Sequence, residues 1–311
     1  MTQSVTAETP AATGHRGVYR LSPDRAPDPR PVALRFEDLS MTYPDGTEAL
    51  TGIDLSIAAG EFVSIIGPSG CGKSTLARIA SGLLPQTGGL VRIDRDHLAF
   101  TFQEATLLPW RRVLGNVELM MELRGVPAAE RKRKALEQLD LVGLTGFEDR
   151  FPRALSGGMK MRASLARSFA LDPTVFLFDE PFGALDEINR ERLIEELSAL
   201  HHAKGFTGFF ITHSIPEAVY LSSRVVVMGA RPGRIAAEYA IDLPQPRNAD
   251  LRFDPAFTEG CANRARFMIN HPVNPPHLVP VVELVPAPWT DPDCVAAVRE
   301  LMNEVGQVPV S

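Results

Sequence analysis

The chain has 311 residues, 44% apolar and 23% charged, proportions that exclude wholesale disorder, a collagen-like repeat and a bare coiled coil. Lys and Arg number 32 against 38 Asp and Glu, a net charge of −6, which gives duplex nucleic acid a poor footprint and makes no nucleic-acid partner the expectation. The three cysteines, Cys71, Cys261 and Cys294, form no CxxC pair, which points away from a disulfide framework or a Cys-rich zinc site.

No run approaches the 18 or so apolar residues of a membrane span, and polar Thr2, Gln3 and Ser4 stand where a signal segment would begin, so the expected location is the cytoplasm. Prolines then mark the borders along the chain. Residues 1–31 hold five of the 26, among Ala, Thr, Ser and Asp, and read as a flexible lead-in that cannot bury enough apolar surface to order itself. Val32-Ala-Leu-Arg-Phe36, Ile53-Asp-Leu-Ser-Ile57 and Glu61-Phe-Val-Ser-Ile-Ile66 read as strands, the last running into a glycine-rich turn and a helix from Lys73 to about Ser81.

From about residue 112 to 172 the pattern is almost purely helical. Pro127-Ala-Ala-Glu130 starts a helix, Ala135, Leu136, Leu139 and Val142 recur at helical spacing, and Arg131-Lys-Arg-Lys134 reads as a solvated face. Val175-Phe-Leu-Phe178 lacks alternation, as in a strand buried on both faces of a parallel sheet, and Phe209-Phe-Ile-Thr212 and Arg224-Val-Val-Val-Met228 are further strands. The expectation is an α/β core over residues 32–241 with an inserted helical lobe. Residues 242–311 hold eleven prolines and read as an extension of unknown role. His201, His202 and His271 make no metal set with the distant cysteines.

Gly67-Pro-Ser-Gly-Cys-Gly72-Lys73-Ser74 fits G-x-x-x-x-G-K-[ST] between a β run and a helix. In that context the glycines turn backbone N–H groups toward phosphate oxygens, the helix start adds its positive dipole end, and the Lys73 ammonium reaches the β and γ oxygens. Ser74 then suits Mg²⁺ through its hydroxyl. Asp179 and Glu180 follow the buried strand at the point where a second half of a nucleotide site should lie. Asp179 suits the metal, and Glu180 the orientation of an attacking water. Further along, Leu155-Ser156-Gly157-Gly158-Met159 opens a helix with Ser156 as N-cap and two free glycine amides beside it.

With both motifs present, the chain resembles the nucleotide-binding subunits of ATP-binding-cassette (ABC) transporters over about residues 32–241. The resemblance implies a P-loop NTPase core of mixed, mainly parallel sheet, with an antiparallel N-terminal β part and the helical lobe inserted. It implies an ATPase that uses ATP and Mg²⁺, held by Tyr43 on adenine, by Gly67, Pro68, Ser69, Gly70, Cys71, Gly72, Lys73, Ser74 and Thr75 at the phosphates, and by Ser74, Gln103 and Asp179 at the metal. Glu180, His213 and Gln103 are implied in hydrolysis, and Asp186, in Ala184-Leu185-Asp186, in communication across a dimer. In this family two copies face head to tail, so that Ser156, Gly157 and Gly158 act on the partner subunit's ATP.

Gln103-Glu-Ala-Thr-Leu-Leu-Pro-Trp110, Thr212-His-Ser-Ile-Pro-Glu-Ala218 and Arg231-Pro-Gly-Arg-Ile235 resemble the nitrate, sulfonate and taurine group of importers. That implies a permease docking near residues 103–110, with Trp110 as anchor or, alternatively, as core of the helical lobe, and a solute-binding protein engaged indirectly. The implied location is then peripheral, on the cytoplasmic face of the cell membrane. A soluble ABC ATPase uncoupled from transport and a nucleotide-gated regulatory module are the alternatives. Met161 departs from the glutamine many cassettes carry in the signature helix, and the tail from about 242 matches nothing in the family pattern.

Overall fold

The computed structural model describes residues 28–183, 185–229 and 232–247, with Leu251, Phe257 and four short strands outside that span. The lead-in before residue 28, apart from one such strand, and Ala184, Arg231, Cys261 and Cys294 lie outside the described residues. The chain divides into two compact units, Tyr19–Asp254 and a second made of Met1–Val18 with Pro255–Ser311.

In the larger unit, β2 (Val32–Thr42) pairs antiparallel with β3 (Glu48–Ala58) on one side and β5 (Gly88–Ile93) on the other. Along β2 the buried residues are Leu34 and Phe36, then Leu39 and Met41. A strict period of two would turn the second pair to solvent. The register shift between Phe36 and Leu39, with Asp38 at φ 45°, inserts one residue and returns both pairs to one face. This is the expected antiparallel N-terminal part, and β5 is a strand the sequence reading missed.

The main sheet has seven strands in the order β1-β10-β9-β4-β8-β7-β6, with β1 at Val18–Arg20, β4 at Phe62–Ile66, β6 at Leu98–Thr101, β7 at Val175–Asp179, β8 at Thr207–Ile211, β9 at Arg224–Met228 and β10 at Ile235–Ile241. From β9 to β6 all pairings are parallel, and β10 returns antiparallel to β9. Strands β4, β7 and β8 are buried throughout. One face carries Val63, Ile65, Leu177, Phe209 and Ile211, joined in a single core with the antiparallel sheet and with helix α1 (Lys73–Ala80). The opposite face is aromatic: Phe176 and Phe178, two apart on β7, stack at 5.5 Å, and Phe62, Phe206 and Phe210 surround them.

The helical lobe consists of α2 (Val113–Leu123), α3 (Ala128–Leu141) and α4 (Gly157–Phe169). Ala135, Leu139 and Val142 are buried as expected, whereas Leu136 is partly exposed. Helices α5 (Glu187–Lys204) and α6 (Ile215–Leu221) follow β7 and β8. Residues 242–247 continue this unit. Leu243, Leu251 and Arg247 are buried, and Arg247 Nη1 donates to the carbonyls of Val219, Tyr220 and Ser222 at the end of α6. Burial there pushes the Arg247 guanidinium down to about 10.

In the smaller unit, β11 (Met268–Pro272) pairs antiparallel with β12 (Val281–Pro286), which pairs parallel with β13 (Val308–Val310). His271 stands opposite Glu283 in that register.

Candidate functional site

The parallel strands β4, β7 and β8 end side by side, and each delivers one part of the site from its C-terminal end, as expected of an open α/β sheet. After β4 the chain turns through Gly67, Gly70 and Gly72 into α1. Gly72, at φ 95°, is the N-cap, and a Cβ there would lie 2.5 Å from Leu50 Cδ2. At Gly67 a Cβ would come within 2.6 Å of the Met228 carbonyl. The loop can therefore follow this path only with glycine at both positions. Lys73, 6% exposed, lays its ammonium back across the loop, donating to Gly67 O at 2.8 Å and Pro68 O at 3.0 Å. Cys71 is buried beneath it, consistent with a small packed residue.

Ser74 Oγ donates to Asp179 Oδ1 at 2.9 Å. Burial raises the Asp179 pKa above the usual carboxylate range, the Ser74 hydrogen bond opposes the rise, and the neighbouring Glu180 charge adds to it. A half-buried hydroxyl and a buried carboxylate side by side form an oxygen donor set of the kind a hard divalent cation takes.

Glu180 leaves the strand at φ 47°, in the left-handed region, with its amide held by Ile211 O at 3.0 Å. Its Oε2 lies 3.4 Å from Nδ1 of His213, which follows β8 and is 65% exposed. Tyr43 places its hydroxyl 3.1 Å from Thr75 Oγ1, at the first turn of α1. The structure thus brings Tyr43, Lys73, Ser74, Thr75, Asp179, Glu180 and His213 around one loop and three strand ends.

Ser156, Gly157 and Gly158 open α4 on the lobe. The Ser156 hydroxyl accepts from Met159 N at 3.3 Å, the N-cap geometry expected from sequence. Ser156 and Gly157 are exposed, and Met161, the departure from the usual pattern, is buried in α4. Asp186 caps α5, accepting from Asn189 N at 3.1 Å and Asn189 Nδ2 at 2.7 Å, and those hydrogen bonds hold its carboxyl below the usual range.

Gln103 is exposed at the start of an irregular segment running to Trp110. Two braces unnoticed in the sequence fix this segment. Arg167 of α4 donates to Ala105 O at 3.1 Å and to Thr106 O at 2.9 Å. Asn116 of α2, fully buried, takes Leu108 N onto Oδ1 at 2.7 Å and donates Nδ2 to the carbonyls of Leu108, Arg111 and Arg112. Trp110 is 71% exposed, which rules out a place in the lobe core. Glu217 was also passed over, although it sits in the quoted stretch from Thr212 to Ala218. Its signal was a polar residue three positions after Ser214.

The family model for ABC transporters matches residues 50–183. A separate model, the NAD-binding domain of 3-hydroxyacyl-CoA dehydrogenase, matches residues 255–311, the part that the sequence reading could not place. That segment has glycine only at Gly260 and Gly306, so it holds no G-x-G-x-x-G dinucleotide fingerprint. Among curated relatives, the taurine import ATP-binding protein TauB of Pseudomonas putida is 41% identical over 239 residues, 73% of this chain and 91% of the relative. The aliphatic sulfonates import ATP-binding protein SsuB of Rhodopseudomonas palustris is 45% identical over 230 residues, 71% of this chain and 80% of the relative. Among solved structures, a dimeric ATP-binding cassette in a post-hydrolysis state with ADP and Pi is 32% identical, with a TM-score of 0.62 over 67% of this chain and 98% of that one. The phosphate loop, the carboxylates after β7 and these relationships agree: the chain belongs to the ABC transporter ATP-binding family and is an ABC-type ATPase.

Proposed function

We propose that this chain is the ATP-hydrolysing subunit of an importer for a small solute of the nitrate, sulfonate and taurine type, working as a head-to-tail pair around two ATP molecules at the cytoplasmic face of the membrane. The observation that carries the catalytic part is the Ser74, Asp179, Glu180 and His213 constellation at three adjacent strand ends. Lys73 and the amides of residues 67–75 hold the phosphates. Ser74, Asp179 and Gln103 are the residues that would hold Mg²⁺, which when bound neutralises charge on the β and γ oxygens. Glu180 orients the attacking water and accepts its proton, and His213, beside it, donates toward the γ-phosphate.

The shared site has its own support. A Cβ on Gly157 would meet nothing within 4 Å among the described residues, so their packing does not require glycine there. A close approach from outside does, and a second copy's ATP on the exposed end of α4 is that approach. Coupling to a permease is supported by Trp110, a large exposed aromatic on a segment pinned by Asn116 and Arg167, in a chain similar to taurine and sulfonate import subunits.

Two defective variants test the pairing. Lys73→Ala cripples a subunit's loop and leaves its signature. Ser156→Arg does the reverse. In a Glu180→Gln background each variant alone should fail to associate with ATP. Mixing restores one intact composite site, and ATP-dependent association should return in size-exclusion chromatography. No gain on mixing, with heterodimers demonstrated by cross-linking, would refute the head-to-tail arrangement. Uptake of taurine, alkanesulfonates and nitrate by vesicles holding the chain and its permease would then identify the solute.

A further inference from the structure

The polar contacts at the start of α5 join two regions that the hydrolysis reading treats separately. On one side Arg162, buried on α4, donates Nη2 to Asn189 Oδ1 at 3.2 Å, and Asn189 holds Asp186. On the other, Arg190 donates Nη2 to Leu185 O at 3.0 Å, and its Nε lies 3.8 Å from Glu217 Oε1. Glu217, 7% exposed, accepts from the Thr212 hydroxyl, and Thr212 Oγ1 accepts from Ser214 N at 3.0 Å. The residues on both sides of His213 are therefore fixed by the group that Arg190 faces.

The plain role for Glu217 is local. Ser214 caps α6 and Glu217 stands three residues later, as in a capping box. In a capping box, however, the glutamate reaches back to the cap residue's own amide. Here that amide goes to Thr212, and Glu217 takes the Thr212 hydroxyl and turns its other oxygen toward a cation from a different helix. A helix cap needs no such cation. Arg190 in turn supplies what lysine could not, a planar fork whose Nη2 donates to the Leu185 carbonyl and whose Nη1 donates to Glu187, while its Nε, at 3.8 Å, faces Glu217 as a charge rather than as a hydrogen-bond donor.

We propose that Arg190 and Glu217 are positioning residues that tie the turn at Leu185 and Asp186 to the loop carrying His213, so that the state of that turn sets whether His213 stands beside Glu180. This rests on the assignment of Glu180 and His213 to hydrolysis. In a head-to-tail pair the turn is continuous with the signature helix through Arg162 and Asn189, which gives each site a physical route to the other.

The test is steady-state ATP hydrolysis by the full chain with Mg²⁺, with ATP affinity measured in parallel in a Glu180→Gln background. Arg190→Lys and Glu217→Gln should each lower kcat by about tenfold while KM and ATP affinity stay within about twofold, and the double variant should be no slower than the slower single one. Thr212→Val should reproduce the loss, and Thr212→Ser, which keeps the hydroxyl, should recover most of the rate. Wild-type kcat in Arg190→Lys, or losses that multiply in the double variant, would overturn the proposal. Should either charged variant fail to fold, the Thr212 pair decides alone, with equal rates for Val and Ser overturning it. An inactive wild-type chain would instead overturn the assignment of Glu180 and His213, whereas an active wild type with an indifferent Arg190 removes only the positioning claim.

Discussion

Replacing Asn116 with leucine keeps the branched side-chain shape and removes the four side-chain hydrogen bonds by which Asn116 braces the segment before α2, leaving the Arg167 contacts in place. The native side chain makes four: one from Leu108 N and three to the carbonyls of Leu108, Arg111 and Arg112. Two of those carbonyls keep a second partner, because Leu108 O still accepts from Arg111 N and Arg112 O from Asn116 N. The loss concentrates on the Leu108 amide and the Arg111 carbonyl. An amide left unpaired costs roughly 1–3 kcal/mol and each lost bond about 1 kcal/mol net, so the variant should be less stable by about 3 kcal/mol. Urea denaturation followed by circular dichroism measures this. ATP affinity should hold, since Asn116 lies on the lobe and touches none of the phosphate-loop residues, while uptake with the permease should fall as Trp110 loses its support. A stability loss below about 1 kcal/mol would refute the claim that Asn116 holds the segment.

Glu180→Gln should retain ATP binding and arrest phosphate release, as measured by release assays alongside chromatography with ATP; wild-type turnover would remove Glu180 from the chemistry. Tyr43→Ala should weaken ATP and GTP alike by about 1–3 kcal/mol, the scale for one base on one aromatic ring, in isothermal titration. Arg224 forms a two-bond pair with Glu61 at 2.8 and 3.0 Å, both residues buried, and also binds Ser56 O, joining β9 to the antiparallel sheet. Arg224→Ala should therefore cost about 3–5 kcal/mol in denaturant midpoint experiments, and adding Glu61→Gln should recover part of it, because the larger loss is the stranded charge.

What the sequence made legible was whatever repeats a local physical rule. The phosphate loop was readable because its glycines, lysine and serine are contiguous, and Ser156 because an N-cap needs only the residues beside it. β7 was readable because burial on both faces leaves an unbroken apolar run. The edge strand β5, opening with two glycines and mostly exposed or half-buried, carries no such run, and it exists through pairing with β2. Asn116, Arg167 and Arg190 were invisible for a related reason. Each acts on backbone carbonyls, which have no sequence signature, and Arg167 reaches across 62 positions to Ala105. The stretch from 242 to 247 carries no apolar run either, and it is Arg247, buried with Leu243 and donating to the carbonyls at the end of α6, that fastens it to the cassette.

The proposed function gives two adjacent carboxylates different work, and the backbone explains how they can do it. In an extended strand consecutive side chains face opposite ways. Asp179, the last residue of β7, sends its carboxylate to Ser74, so a Glu180 that continued the strand would point away from the phosphates. Instead Glu180 adopts φ 47°, a conformation costing roughly 1–3 kcal/mol for a residue with a side chain. The turn is held by its amide on Ile211 O and by Gly183 N on its carbonyl, and the carboxylate arrives 3.4 Å from His213. Glycine would remove the strain and with it the acid. On the proposed assignment the strain is the local consequence of placing a metal-side carboxylate and a water-side carboxylate at neighbouring positions, and the buried, hydrogen-bonded ends of β7 and β8 supply the rigidity that maintains it.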